Sequence, residues 1–155
     1  MIEPLLSALT ELSLLLGNEI FFFLVVGAMV FLAEKRPEKR KKIILGIIII
    51  SLMVLTLKNL FAAERPCVGA EAEFGCPSFP FMEYSFPSGH AAVAFLVMIA
   101  FLDKKSFPVF WLFALFIAFS RLSLGVHNFE DIAGALVLAP IAYHITDVLW
   151  GRYFA

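Results

Sequence analysis

Long apolar stretches separated by short polar segments dominate the pattern of hydrophobic and polar positions along this chain. A helix needs about 20 mostly apolar residues to cross the hydrocarbon core of a membrane, so these stretches indicate transmembrane helices. We predict five spans: Ile20–Ala33 extended by Gly17–Glu19, Ile43 to about Ala62, Ser88–Leu102, Phe107 to about Leu124, and about Phe129 to Trp150. The pattern therefore predicts an all-α fold, an integral membrane helical bundle in a single domain of residues 1–155.

The N-terminal segment follows a different pattern. Between Leu5 and Leu16, leucines recur at helical spacing, while Ser7, Thr10 and Glu11 fill much of the other side. This segment is too short to cross a bilayer, so we predict an amphipathic helix lying in the membrane interface and completing a six-helix core. No Lys or Arg precedes it, so it does not resemble a signal peptide, and we expect the N-terminus to be retained.

Composition and charge agree with a membrane protein. Hydrophobic residues make up 61% of the 155 residues and charged residues 16%, whereas a soluble domain carries about 45–50% and about 25%. The basic residues crowd into the polar segment 34–42, between the first two spans. Because basic loops stay cytoplasmic, we place this segment in the cytoplasm and the loop Ala63–Pro87 on the extracytoplasmic face. A basic run between two spans sets topology, so we expect no nucleic-acid partner.

Ionisable residues collect near the extracytoplasmic ends of the predicted spans, where a functional role is the default interpretation. They are Lys58, Arg65, His90, Arg121, His127 and Asp131. The three cations without a matching number of acids indicate an anion, since Arg and Lys both bind phosphate. The alternative for any single one of them is a side chain that reaches the interface to keep its charge in water.

The two histidines stand in different local patterns. His127 and Asp131 are four residues apart, so on a helix the carboxylate can orient the imidazole and make it a nucleophile or base. The alternative is an interfacial histidine beside a helix-capping acid. Ser88, Gly89 and His90 begin a helix, where backbone N–H groups form an anion site; the alternative is a simply capped helix start. We find no metal-ligand motif, and we expect neither metal nor cofactor; the alternative is that His90 and His127 bind a metal ion.

Taken together, these residues resemble the three-part signature of the type 2 phosphatidic acid phosphatase superfamily. The matching segments are Lys58-x6-Arg65-Pro66, Pro87-Ser88-Gly89-His90 and Ser120-Arg121-x5-His127-x3-Asp131. The resemblance implies that His127 attacks phosphorus and becomes phosphohistidine, that Asp131 orients it, and that His90 protonates the leaving oxygen. It also implies the residues that hold the phosphoryl oxygens: Lys58, Arg65, Ser88, Gly89 and Arg121.

The predicted function is that of a metal-independent membrane phosphatase. Its substrate would be a phosphatidate-type lipid phosphate or a polyprenyl diphosphate, such as an undecaprenyl or dolichyl lipid, hydrolysed at the extracytoplasmic face. Two alternatives remain. A vanadate-dependent peroxidase would oxidise halide with added vanadate, and a non-catalytic lipid carrier or scramblase would move lipid without releasing phosphate. The oligomeric state does not follow from the sequence.

Two cysteines, Cys67 and Cys76, lie nine residues apart in the loop predicted to be extracytoplasmic. An oxidising exterior permits a disulfide between them, which would hold the loop beside Arg65. The alternative is a pair of free thiols. In neither case do we expect the cysteines to take part in the reaction.

Overall fold

The structure is a computed structural model, and it describes residues 2–68, 76 and 84–154. In this part of the chain all regular secondary structure is helical, which confirms the predicted all-α fold. The helices are α1 (Ile2–Leu15), α2 (Glu19–Ala33), α3 (Pro37–Phe61), α4 (Gly89–Ala100), α5 (Phe107–Ser123) and α6 (Phe129–Tyr153).

The helix ends follow from local chemistry. The Asn18 side chain accepts a hydrogen bond from the Phe21 N–H at 3.1 Å and caps the start of α2. Pro37, whose missing N–H costs nothing in the first turn, begins α3. At the other end of α3, Ala62 adopts a left-handed conformation with φ of 46° and turns the chain toward the following loop.

Helix α4 lies at the centre of the bundle and contacts α3, α5 and α6. Its residues 91–97 are all buried, which explains why it is apolar on every side. Small residues on both partners let the helix axes approach closely. On α6 these are Ala135, Ala139 and Ala142, none of which is exposed. On α3, a Cβ at Gly46 would lie 3.3 Å from the Leu96 side chain, so a larger residue would separate α3 from α4.

The outer surface of the bundle is apolar, which suits contact with lipid. Ile20, Leu32 and Phe129 are each at least 75% exposed. By length and composition, α3 and α6 can each cross a membrane, and α1 and α2 pass the same test as a pair bent by 93°. Helices α4 and α5 are apolar but shorter, with 12 and 17 residues.

Ion pairs hold together the end of the bundle that carries the basic segment 34–42. Glu34 is buried and lies 3.3 Å from the Arg36 Nε and 3.4 Å from the Lys104 Nζ. Lys42 pairs with Asp147 of α6. These contacts join the α2–α3 and α4–α5 connections to the last helix, so the other termini of these helices meet at the opposite end.

Candidate active site

Buried polar and charged side chains concentrate at the end of the bundle where α3 finishes and α4 and α6 begin. Most of the residues predicted from the sequence are among them: Lys58, Arg65, Ser88, Arg121, His127 and Asp131 are all below 9% exposed. Charged groups almost never occur at such burial unless they are paired. The fold therefore brings these side chains together at one end of the bundle.

His127 and Asp131 form a hydrogen-bonded pair. The His127 Nδ1 lies 3.1 Å from the Asp131 Oδ2. A carboxylate can only accept, so the ring carries its proton on Nδ1 and keeps a lone pair on Nε2. The same carboxylate oxygen accepts the Asn128 N–H at 2.8 Å. Asp131 is therefore held from two sides in the first turn of α6.

Arg65 lies against the other nitrogen of the same ring. Its Nη1 is 3.3 Å from the His127 Nε2 and donates to the Val126 carbonyl at 3.0 Å. An arginine can only donate, so this contact requires the same tautomer as the Asp131 contact does. The guanidinium thus places positive charge where a phosphoryl group attached to Nε2 would carry its oxygens.

Burial sets the protonation state of the candidate nucleophile. It lowers the pKa of His127 to about 4; the hydrogen bond with Asp131 opposes this, and the charges of Arg65 and Lys58 add to the lowering. The imidazole is therefore neutral near pH 7, and its Nε2 carries a lone pair that can attack without prior loss of a proton once a substrate takes the place of the Arg65 contact.

Ser85 belongs to this site, although the sequence reasoning did not select it. Its side chain is buried, its hydroxyl donates to the Asp131 Oδ2, and it lies 3.3 Å from the His127 Nδ1. Its carbonyl accepts from the Lys58 Nζ at 2.9 Å. The only signal in the sequence was its place two residues before Pro87, and a serine in a polar loop carries no marker of such contacts.

Lys58 is the most deeply buried cation, at 1% exposure. Its ammonium donates to the carbonyls of Ser85 and Tyr84, in the segment that leads into α4. These contacts tie the end of α3 to the loop carrying Ser85. The buried charge also interacts electrostatically with Arg65 and Asp131.

Ser88 and His90 contribute polar atoms that lack protein partners. In the described part of the chain, the buried Ser88 Oγ and His90 Nε2 form no hydrogen bond. A buried polar atom left in this state costs about 1–3 kcal/mol, so it indicates a ligand position. Ser88 is anchored through its N–H to the Asp131 carbonyl at 3.1 Å, and the His90 ring packs on Phe22 at 4.6 Å.

Arg121 approaches the cluster from the last turn of α5. Its Nε donates to the Ser120 Oγ at 3.1 Å and its Nη2 to the Ser13 carbonyl of α1 at 2.7 Å. It is near enough to Arg65 and His90 for electrostatic interaction with both. The contact with α1 was not predicted.

A cavity of about 150 Å³ opens beside His90. It lies between α2, α3 and α4, and its lining residues are Glu19, Phe22, Phe23, Ser51, Val54, Leu55, Gly89, His90 and Val93. Most of this lining is apolar. The unpartnered His90 side chain therefore borders a mostly apolar cavity.

A disulfide joins Cys67 to Cys76, with the two Cα atoms 5.5 Å apart. Cys67 is buried in a small cluster with Leu124 and Val126, just before His127. The chain just after Arg65 therefore packs, through Cys67, against the turn that carries the candidate nucleophile.

The sequence and fold of this chain resemble those of known proteins. A family model described as the PAP2 superfamily matches residues 40–155. The crystal structure of LpxE from Aquifex aeolicus is similar, with 28% identity, a TM-score of 0.72, and coverage of 94% of this chain and 87% of that chain. A PAP2 type phosphatidylglycerolphosphate phosphatase from Bacillus subtilis shares the fold, with 19% identity, a TM-score of 0.62, and coverage of 98% and 78%.

The matched region includes all three segments of the signature, from Lys58 to Asp131. The fold similarity extends over nearly the whole chain, including helices before the matched region. The chain also contains apolar helices that are long enough to cross a membrane, as expected for an integral membrane protein. The chain is therefore an integral membrane protein and a member of the PAP2 superfamily, as its sequence signature predicts.

Proposed function

We propose that this protein hydrolyses the phosphate or diphosphate group of a membrane lipid through a phosphohistidine on His127. The observation that carries the proposal is the state of this ring. Asp131 holds its Nδ1 at 3.1 Å, while Nε2 faces Arg65 at 3.3 Å. A neutral imidazole that a carboxylate orients is suited to attack phosphorus, and the neighbouring Arg65 cation offsets the negative charge of the phosphoryl oxygens.

The reaction takes place in two displacements at phosphorus. In the first, the His127 Nε2 lone pair forms a P–N bond, the bond from phosphorus to the leaving oxygen breaks, and a protonated His90 donates its proton to that oxygen. In the second, His90 takes a proton from water, the water oxygen bonds to phosphorus, and the P–N bond breaks. Phosphate leaves, and both histidines return to their starting states.

The remaining residues act on the charge of the phosphoryl group. Lys58, Arg65 and Arg121 face its oxygens, with the Ser88 hydroxyl and the Gly89 N–H as further donors. Gly89 is the first residue of α4, so its N–H has no partner inside the helix. Phosphoryl transfer needs little besides such positioning and charge stabilisation, so no step in this scheme requires a metal ion.

Ser85 acts as a positioning residue in this scheme. Its hydroxyl donates to the Asp131 carboxylate and can accept from the His127 Nδ1–H at 3.3 Å. A hydroxyl can do both at once. It therefore keeps the carboxylate aligned with the ring while positive charge develops on His127.

The substrate class follows from the surroundings of the site. The cavity beside His90 is lined largely by phenylalanine, valine and leucine side chains and opens between helices with lipid-facing surfaces. An acyl or isoprenoid chain suits such a space, whereas a soluble phosphate ester does not need it. Phosphatidate-type lipids and polyprenyl diphosphates both fit.

In the membrane arrangement of this proposal the chain crosses five times, through α2 to α6, with α1 in the interface. Helix α4 has only 12 residues and is buried among the other helices, so its crossing includes the non-helical segments on either side of it. The bend of 93° between α1 and α2 supports it, because α1 then lies roughly parallel to a membrane that α2 crosses. Basic residues of the segment 34–42, together with Lys104, lie at the end of the bundle away from the site. Under the positive-inside rule that end is cytoplasmic and the site is extracytoplasmic.

Phosphate release from purified protein in detergent tests the proposal. The substrate panel is farnesyl diphosphate, a longer polyprenyl diphosphate, phosphatidate and phosphatidylglycerol phosphate, each assayed with and without EDTA. We expect release from at least one lipid, unchanged by EDTA, and a phosphorylated protein after an alkaline quench, since a P–N bond survives alkali but not acid. Lipid transfer between vesicles without phosphate release would instead support a non-catalytic carrier, and halide oxidation with vanadate would support a peroxidase.

A further inference from the structure

Helix α1 contacts the site although it lies outside residues 40–155, the region that the family model matches. The Arg121 Nη2 donates to the Ser13 carbonyl at 2.7 Å, across 108 residues of sequence. Both residues are buried, at 4% exposure. A phosphate-binding residue of the signature is thus held by an element that the signature does not include.

The Ser13 carbonyl is available because of how α1 ends. The N–H groups of Leu16, Gly17 and Asn18 bond to the carbonyls of Leu12, Leu14 and Leu15 respectively, which leaves Ser13 out of this series. Carbonyls in the last turn of a helix lack intrahelical donors and carry partial negative charge. A guanidinium is a suitable partner for such a carbonyl.

Gly17 lets the guanidinium lie against this turn. A Cβ at this position would be 3.1 Å from the Arg121 Nη1, 3.0 Å from the Leu14 carbonyl oxygen and 3.3 Å from that of Ser13. Each distance is shorter than an ordinary carbon contact. A side chain at position 17 would therefore require Arg121 or the turn to shift by a few tenths of an ångström.

The two hydrogen bonds of Arg121 fix the direction of its remaining donors. In the described part of the chain, Nε bonds to Ser120 within α5 and Nη2 bonds to α1. Two bonds at different points of a planar group define its plane, and the other N–H groups stay available for phosphoryl oxygens.

We propose that the C-terminal turn of α1, through the Ser13 carbonyl and Gly17, is a positioning element that orients Arg121 toward the phosphoryl group. This inference rests on the proposed function, since it assigns Arg121 to phosphate binding. It makes α1 part of the site's construction as well as a membrane-interface helix.

The test compares Gly17→Ala with Gly27→Ala, since nothing lies within 4 Å of a Cβ at Gly27. Two quantities are measured: kcat/KM for phosphate release, and the affinity for orthovanadate by calorimetry. We expect Gly17→Ala to lose about tenfold in both, because small displacements of a positioned group have large effects. Gly27→Ala should match the parent protein. Parent-like values for both quantities in Gly17→Ala would overturn the inference.

A double mutant separates orientation of Arg121 from a general loss of structure. In an Arg121→Ala background, Gly17→Ala should have no further effect on kcat/KM or on vanadate affinity. A loss of the same size in both backgrounds would mean that Gly17 acts on folding and would overturn the inference. Vanadate binding needs no turnover, so a parent protein that binds vanadate but releases no phosphate would count against the proposed function alone.

Discussion

At the scale of single residues, the two histidines of the site differ in what they contact. Both nitrogens of His127 are engaged, Nδ1 by Asp131 and Nε2 by Arg65. The Nε2 of His90 has no partner in the described residues. A ring held on both sides is suited to be an oriented nucleophile, whereas an unpartnered nitrogen is suited to exchange a proton with the substrate.

Substitutions of the two histidines should change the reaction kinetics in different ways. We expect His127→Ala to lose more than about 1,000-fold in kcat and to form no phosphoprotein. We expect His90→Ala to lose about 100-fold on a lipid phosphate, but less on p-nitrophenyl phosphate, whose leaving oxygen needs no proton. Initial rates on both substrates measure this. Equal losses for His90→Ala on the two substrates would contradict its role as the acid.

Ser85 carries a second prediction at this scale. Ser85→Ala removes a hydrogen bond to the Asp131 carboxylate, and we expect kcat to fall about tenfold, with KM unchanged because the hydroxyl contacts Asp131 and His127. Ser85→Thr keeps the hydroxyl and should restore most of the rate. Steady-state kinetics of the two variants provide the measurement. If the loss appeared in KM instead, Ser85 would act on binding and not on the pair.

At the scale of elements, residues 84–88, directly before α4, are held in place by the fit of Phe86 against α3 and α6. Phe86 packs edge to face on Phe61, with ring centroids 5.1 Å apart. It also covers Gly134, where a Cβ would lie 2.4 Å from the Phe86 ring. Only a glycine on α6 admits the ring there. The ring in turn fixes the backbone beside Ser85.

Gly134→Ala should therefore disturb the site from outside it. We expect the Phe86 ring to shift and the free energy of unfolding to fall by about 1–3 kcal/mol, which lowers the melting temperature. We expect kcat to fall as well. Gly151→Ala on the same helix is the control, because nothing lies within 4 Å of its Cβ. Thermal unfolding in detergent and phosphate release measure the two effects. The same outcome for both variants would show that the Phe86 contact is unimportant.

At the scale of the whole molecule, charge is divided between the two ends of the bundle. The site end holds the buried cations Lys58, Arg65 and Arg121, and the other end holds an ion-pair network around Glu34. Burial by itself raises the pKa of Glu34, but hydrogen bonds from the Arg36 backbone and side chain, together with Lys104, lower it to about 2. The network thus stabilises the ionised carboxylate.

This shift predicts how stability depends on pH. The pKa of Glu34 falls from 4.5 to about 2 on folding, so the folded state binds fewer protons than the unfolded state. Its stabilising contribution is complete above pH 4.5 and is lost as the pH falls toward 2. Melting temperatures of the parent and Glu34→Gln should therefore differ by a constant amount above pH 5 and converge in acid. A difference independent of pH down to about 2 would contradict this.

The sequence by itself determined the helical bundle, the approximate helix limits and the residues of the signature. Apolar length and helical periodicity act over a few turns, and the signature residues are marked by their type and spacing. The limits of one predicted span differ from those of the helix in the structure. The predicted span Ser88–Leu102 is the 12-residue helix α4, whose continuous apolar run reflects burial among α2, α3, α5 and α6 as much as contact with lipid.

Only the tertiary structure decided how Ser85, Gly134 and the end of α1 support the site. The bond from Ser85 to Asp131 joins residues 46 apart, and that from Arg121 to Ser13 joins residues 108 apart. The second bond ends on a backbone carbonyl, which every residue has, so no residue type marks it in advance. Spacing along the chain identifies the candidate reacting groups, but packing between helices determines what holds them in position.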